Sequence, residues 1–261
     1  MQVMYAVIDG AVRQLTLPEP SEFVLPEIRW GAFDELLTPA YWRGQVWQHL
    51  QLGTFDNLRL GHSLIEEVAA CLLGGYGMPA ALGLAAYHRI REAGILDGLP
   101  EAFQIEDVLS EPFQVDGHFR KYRFPRQKAR YLSACLVALA TFSIPEDDRL
   151  FRDHLAQLPG IGPKTASWVV RNLRPSSAVA VIDVHILRAG RFIGLFPYSW
   201  EPQRNYRELE GRFVAFAEAL EVPTALLDGV MWDHMRRLSP VVFGRVSPSS
   251  KQLTMSLTAA G

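Results

Sequence analysis

Beyond residue 60, apolar positions recur every three to four residues over most of the chain, which is the spacing of amphipathic helices. His62-Ser63 precede the first such run, in which Leu64, Ile65, Val68, Ala69, Leu72 and Leu73 share a face, and Gly74, Gly75 and Gly77 end it. Pro79 lies near the start of a second run carrying Leu82, Leu84, Ala85, Tyr87 and Ile90. A stretch rich in turn residues, read as loop, reaches Pro125, which opens a third helix through Tyr131, Leu132, Cys135, Leu136 and Leu139. Further helices are predicted at 147–157, 164–173, 184–194, 204–220 and 223–238. The first part of the chain differs. Segments 3–8 and 11–17 around Asp9-Gly10 predict a β-hairpin with a tight turn, and Pro18, Pro20 and Pro26 then break the pattern. The pattern predicts a mainly α fold with a mixed α/β flap at 1–57, a helical domain at 58–240 and a tail at 241–261.

Composition narrows the class. The 261 residues are 49% hydrophobic and 21% charged, which describes a globular chain, not a disordered or fibrous one. No apolar run is long enough to span a bilayer, and residues 3–8 are too short for a signal segment and lack a basic lead-in, so a cytoplasmic protein is expected. Cys71 and Cys135 fall on apolar helix faces and read as buried small hydrophobes. Two cysteines cannot make a four-thiolate cluster, and no His or Cys pair has zinc-finger spacing, so neither a metal nor another cofactor is expected. The net charge of −2 argues mildly against nucleic acid, but the basic charge is concentrated. Arg120, Lys121, Arg123, Arg126, Lys128 and Arg130 lie in a stretch free of acids from His118 to Pro145. A second acid-free stretch, 155–182, holds Lys164, Arg171 and Arg174.

Within that second stretch stands Leu158-Pro159-Gly160-Ile161-Gly162-Pro163-Lys164-Thr165-Ala166, between two apolar helical patterns. Glycines at 160 and 162 supply the positive φ values of a tight hairpin and let a phosphate approach the backbone. Ile161 turns inward to pin the helices, and Pro163 suits the first helical position, where its missing N–H costs nothing. The exposed amides of that helix start form an anion site, a sequence-independent grip on a DNA backbone. The predicted helix-hairpin-helix unit covers 149–173, with Gly160, Ile161, Gly162 and Thr165 as DNA contacts and double-stranded DNA as partner. A plain tight turn is the alternative for an isolated Gly-x-Gly. Nineteen residues after Lys164, Asp183 ends the apolar segment Val181-Ile182 just before a new helix, a natural N-cap position.

Residues 158–166 together with Ile182-Asp183-Val184-His185 resemble the helix-hairpin-helix-GPD superfamily of base-excision DNA glycosylases. Residues 122–132, 166–172 and 182–188 are similar to the 8-oxoguanine DNA glycosylases, above all the compact prokaryotic ones. The likeness spans about residues 60 to 240. It implies a bifunctional glycosylase/AP lyase, monomeric and nucleoid-associated, acting on duplex DNA with an oxidised or otherwise modified purine. Lys164 would be the nucleophile and Asp183 the catalytic carboxylate, with a simple phosphate contact as the lesser role for Lys164 and capping for Asp183. His185 matches a phosphate-binding histidine, and otherwise reads as a satisfied core histidine. Trp168, one turn beyond Lys164, either stacks on an extruded purine or sits in the core. Trp232 and Asp233, beside Asp228 and His234, fall where relatives place base-recognition groups, or are helix-surface residues. Two departures stand out: the chain ends Thr258-Ala259-Ala260-Gly261 where compact relatives use a lysine, and the turn after the first helix reads Gly74-Gly75-Tyr76-Gly77-Met78-Pro79, with Tyr76 or Met78 as candidate wedge. A glycosylase of altered base specificity outside ordinary repair and a non-catalytic DNA-binding protein remain open at this point.

Overall fold

The computed structural model describes residues 1–53, 58–75, 77–174 and 176–238. Tyr76 and the 241–261 tail therefore lie outside the described residues. Close contacts divide the chain into two units, residues 57–181 in one and 1–56 with 182 onward in the other. The N-terminal segment thus groups with the C-terminal helices, whereas the sequence pattern alone suggests a single helical domain over 58–240.

The chain opens on β1 (Gln2–Ile8) and β2 (Ala11–Leu17), paired antiparallel from Gln2↔Leu17 to Ile8↔Ala11. The turn is the predicted one. Asp9 and Gly10 both take positive φ, 51° and 75°, as a two-residue hairpin matched to strand twist requires. A small ladder follows, β3 (Phe23–Leu25) against β4 (Ile28–Arg29). Helix α1 (Pro39–Leu52) has no counterpart among the predicted helices. Its sequence lacks a clean stripe, yet the Thr38 side chain accepts from Tyr41 N, Pro39 fills the first turn, and Gly53 closes it at φ 58°. Trp42, Val46 and Trp47 are buried on it, so packing supplies what periodicity does not show.

In the unit of residues 57–181, α2 (Leu64–Gly74) is capped by Ser63, whose side chain accepts from Glu66 N, and is followed by α3 (Ala80–Glu92). The stretch before Pro125, read as loop, instead holds α4 (Ala102–Ser110) and a hairpin of β5 (Phe113–Val115) and β6 (His118–Arg120). Glu101 and Gln104 cap α4 reciprocally, and Asp116-Gly117 make the turn with both φ positive. These are short elements, and short elements leave little periodicity to read. Helix α5 (Pro125–Leu139) packs on α2 and α4. Then come α6 (Asp148–Leu155) and α7 (Pro163–Leu173), packed against each other, with α7 also against α2. The core includes Val68, Leu72, Ile90, Leu132, Leu136, Phe151, Leu155, Ile161, Val169 and Val170, all buried. Cys71 and Cys135 are buried in it too, as their apolar positions predict.

The other unit is completed by α8 (Val184–Phe192), α9 (Pro202–Ala219) and α10 (Thr224–Arg237). Helix α10 packs against α1, α8 and α9, and β3 packs against α9. Trp42, Phe213, Phe216, Leu227 and Met231 are buried within this unit.

Candidate active site

The hairpin between α6 and α7 is built as the sequence predicts, with one correction. Gly160 has φ 76°, and a Cβ there would lie 2.4 Å from the Tyr131 ring on α5, so both conformation and space demand glycine. Gly162 has φ −91° and ψ 173°, ordinary extended backbone, and none of the described residues occupies the place of its Cβ. Positive φ is therefore needed at Gly160 only. At Gly162 the missing side chain leaves open space beside the start of α7. Ile161 is buried, as predicted, and its amide donates to Leu158 O at 3.1 Å.

Helix α7 starts without a side-chain cap, and Pro163 takes its first position. Among the described residues no side chain caps the first-turn amides, which lie at the positive end of the helix dipole, the arrangement an external anion can satisfy. Lys164 and Thr165 follow in this turn, both half-buried. The Lys164 Nζ stands 5.9 Å from the centroid of the Trp168 ring one turn on. Trp168 is itself half-buried, its ring tip 3.2 Å from where a Cβ on Gly74 would be, and the Thr165 Oγ1 is 3.7 Å from the corresponding point on Gly75. Glycines at the end of α2 are what let these side chains come so close.

The end of α2 is held from a second direction by residues the sequence does not single out for this purpose. Lys128 on α5 is only 7% exposed, and its Nζ donates to Leu72 O at 2.6 Å. The Tyr122 hydroxyl donates to Leu73 O at 2.6 Å. Burial, and after it the charge of Lys164, push the Lys128 amine down to about 8. Within α2 the fully buried Glu67 accepts from Leu60 N, Gly61 N, Asn172 Nδ2 and the Cys71 thiol, tying α2 to α7. The Cys71 thiol is pushed well up, first by burial and next by Glu67. The one available signal for Lys128 was its place on the apolar stripe of α5 with Leu132, Cys135 and Leu136.

Asp183, His185, Trp232 and Asp233 belong to the other unit. Asp183 is the N-cap of α8: its Oδ1 accepts from His185 N at 2.8 Å and Ile186 N at 2.9 Å. Its Oδ2 takes no hydrogen bond from the described residues, so capping leaves half the carboxylate for other work. His185 is half-buried, and its Nδ1, buried, has no hydrogen-bond partner among the described residues. On α10, Trp232 is 36% exposed and lies under the Arg236 guanidinium at 4.8 Å. Asp233 pairs with Arg236 at 2.7 Å and with Arg237 at 2.9 Å. Burial raises its carboxyl, but hydrogen bonds and charge from both arginines outweigh that and hold it below its ordinary value. His234 takes a 2.9 Å hydrogen bond with the Tyr41 hydroxyl on α1 through its Nδ1, and burial first of all lowers its titration point. Among the described residues, no cluster of three or more His, Cys, Asp or Glu side chains is placed to hold a metal, and no helix is long and apolar enough to cross a membrane.

Comparison with known proteins bears on the whole of this arrangement. A curated 8-oxoguanine DNA glycosylase/AP lyase from Metallosphaera sedula is 33% identical over 121 residues, covering 42% of this chain and 57% of that relative. The crystal structure of the Thermotoga maritima 8-oxoguanine DNA glycosylase superposes with a TM-score of 0.53 at 23% identity, over 74% of this chain and 87% of that one. A trapped covalent intermediate of endonuclease III with DNA superposes with a TM-score of 0.53 at 19% identity, over 76% and 86% of the two chains. These two structures share the helix-hairpin-helix fold described above. The family model described as 8-oxoguanine DNA glycosylase matches residues 51–222, from the end of α1 past α9, and the chain belongs to that family.

Proposed function

We propose that this protein is a bifunctional DNA glycosylase/AP lyase that removes an oxidised or otherwise modified purine, 8-oxoguanine or one like it, from duplex DNA. One observation carries the reading: a half-buried lysine in the first turn of α7, directly after an anion-ready hairpin, in a chain of this family. The hairpin amides and the open side at Gly162 grip a phosphate, so the target nucleotide is held while it is flipped out of the stack. Thr165 and His185 add phosphate contacts.

The neutral Lys164 amine attacks C1′ of the flipped nucleotide, and the glycosidic bond breaks with its electron pair leaving on the base, which takes up a proton. Ring opening converts the C1′–N linkage to a Schiff base. Loss of a C2′ proton then expels the 3′ phosphate by β-elimination. The Asp183 Oδ2 stabilises the positive charge that develops on the sugar. Trp168 stacks on the extruded purine, and Trp232 and Asp233 contribute to its recognition. The protein works as a cytoplasmic, nucleoid-associated monomer.

The test is borohydride trapping on an 8-oxoguanine duplex and on an abasic duplex, with Lys164→Gln in parallel. Covalent adducts on both, absent from the variant, are the expected result. An adduct on the abasic duplex alone keeps the mechanism and moves the substrate to another modified base. Strand cleavage retained by Lys164→Gln would remove Lys164 as nucleophile, and binding with no adduct on either duplex would leave a DNA-binding protein without this chemistry.

A further inference from the structure

The basic stretch that begins at His118 is only partly explained by the site above. Its start is the β5–β6 hairpin, which the fold anchors firmly at its base. Phe113 and Val115 are buried, and Arg89 lies 3.5 Å over the Phe113 ring while donating to the carbonyls of Val108, Glu111 and Pro112. Tyr122, two residues past the hairpin, is buried and bonded to the end of α2. Strand β6 itself is exposed at all three residues. Phe119 pairs with Gln114, the exposed residue of β5, so it stands on the face opposite Phe113 and Val115 and is 78% exposed. A single exposed aromatic needs no explanation. This one heads a run of exposed cations, Arg120, Lys121, Arg123, Arg126 and Arg130, with no acid in the sequence until Glu146. None of Arg120, Lys121, Arg126 and Arg130 makes an ion pair among the described residues. The run also leads to the right place: Arg123 reaches Gly77 O in the turn after α2 at 3.5 Å, and Tyr131, one residue past Arg130, packs on Gly160 of the DNA-binding hairpin.

We propose that the β5–β6 hairpin is a second DNA-contacting element, in which Phe119 stacks on a base unpaired or loosened in the distorted duplex while Arg120, Lys121, Arg126 and Arg130 follow the adjoining phosphates. This rests on the reading of the protein as a DNA-binding enzyme and extends it to a surface outside the α6–α7 hairpin. Charge selects a polyanion, and the π face of an exposed phenylalanine selects one with accessible bases. The rigid base of the hairpin keeps the ordering cost of the contact low.

The experiment measures equilibrium binding to a duplex carrying a tetrahydrofuran abasic analogue, with 2-aminopurine opposite it, across a series of salt concentrations. Phe119→Ala is expected to weaken binding about tenfold and to abolish a protein-dependent change in 2-aminopurine fluorescence, and Phe119→Trp to restore both. Arg120→Gln with Lys121→Gln is expected to lower the slope of log affinity against log salt by about two. Unchanged affinity and fluorescence in Phe119→Ala, or an unchanged salt slope in the double variant, overturns the proposal, as does equal binding of single-stranded RNA by the wild type. Borohydride trapping with the wild type on a natural abasic duplex runs alongside. Its failure would count against the lyase reading while leaving the binding comparison interpretable.

Discussion

Helices α7 and α8 begin in opposite ways. At α8 the Asp183 carboxylate closes the helix from within, taking the amides of His185 and Ile186 on one oxygen. At α7 the residue in the same position is Gly162, and no side chain caps the helix. A helix start is an anion site in either case. At α8 the protein supplies the anion, and at α7 no side chain does so; under the proposed function, glycine there leaves room for a phosphate. On that reading the same kind of backbone group serves rigidity in one unit and ligand binding in the other.

Several substitutions break that comparison or sharpen it, and the largest effect belongs to Lys164→Gln, which should abolish both base release and strand cleavage while DNA binding survives. Next comes Asp183, where two variants separate two roles. Asp183→Asn keeps an oxygen for the cap but loses the charge, and a rate loss of about a hundredfold or more at near-normal stability is expected. Asp183→Ala should show that loss together with about 1 kcal/mol of lost stability by denaturant titration. A Asp183→Asn enzyme as fast as wild type would reduce Asp183 to a cap.

The two hairpin glycines should then part company. Gly160→Ala forces both a positive φ and a Cβ 2.4 Å from Tyr131, and a stability loss of about 1–3 kcal/mol is expected. Gly162→Ala meets none of the described residues, so its unfolding should shift by no more than about 0.5 kcal/mol while DNA affinity falls. Equal stability losses would contradict the division of labour drawn from their backbone angles. A smaller effect is expected for Trp168→Ala, which should slow excision of a modified purine more than cleavage at a ready-made abasic site. Equal losses would return Trp168 to a packing role against Gly74.

The last expected effect concerns Lys128 and is read as a pH dependence rather than a loss of activity. Burial lowers its titration point in the folded protein from the ordinary 10.5 to about 8, so the buried ammonium costs stability at lower pH. Between those values the unfolded chain binds more protons than the folded one, and the cost fades as pH rises. Other groups titrate in the same range, so the informative quantity is the stability difference between wild type and Lys128→Met. That difference should move in favour of wild type from pH 8 to 10.5. A flat difference would mean that the amine is not desolvated at the end of α2.

Much of the site was legible in the chain because its signals are local. Leu158 to Lys164 carry a turn, an inward Ile161 and a proline start within seven residues, and each is visible without knowing the fold. The cap at Asp183 and the Asp9-Gly10 turn are of the same kind. The pairing of Asp233 with Arg236 and Arg237 is local in the same sense, since residues three and four places on along a predicted helix come within its reach. Helix α1 and the β5–β6 hairpin lie outside the predicted elements, because α1 lacks a clean stripe and each hairpin strand has only three residues, while buried Trp42, Val46, Phe113 and Tyr122 supply what periodicity does not show.

By itself, then, the sequence determined the helical plan, the hairpin with Lys164 in the turn that follows it, and the helix start at Asp183, since backbone conformation and capping depend on residues a few places apart. Tertiary structure decided that Gly160 needs glycine for two reasons and Gly162 for neither, that Lys128 lies buried on Leu72 O, and that the first 56 residues group with the last helices. Those outcomes depend on which side chains meet across tens of residues of chain, and burial, desolvation and steric room exist only once they have met.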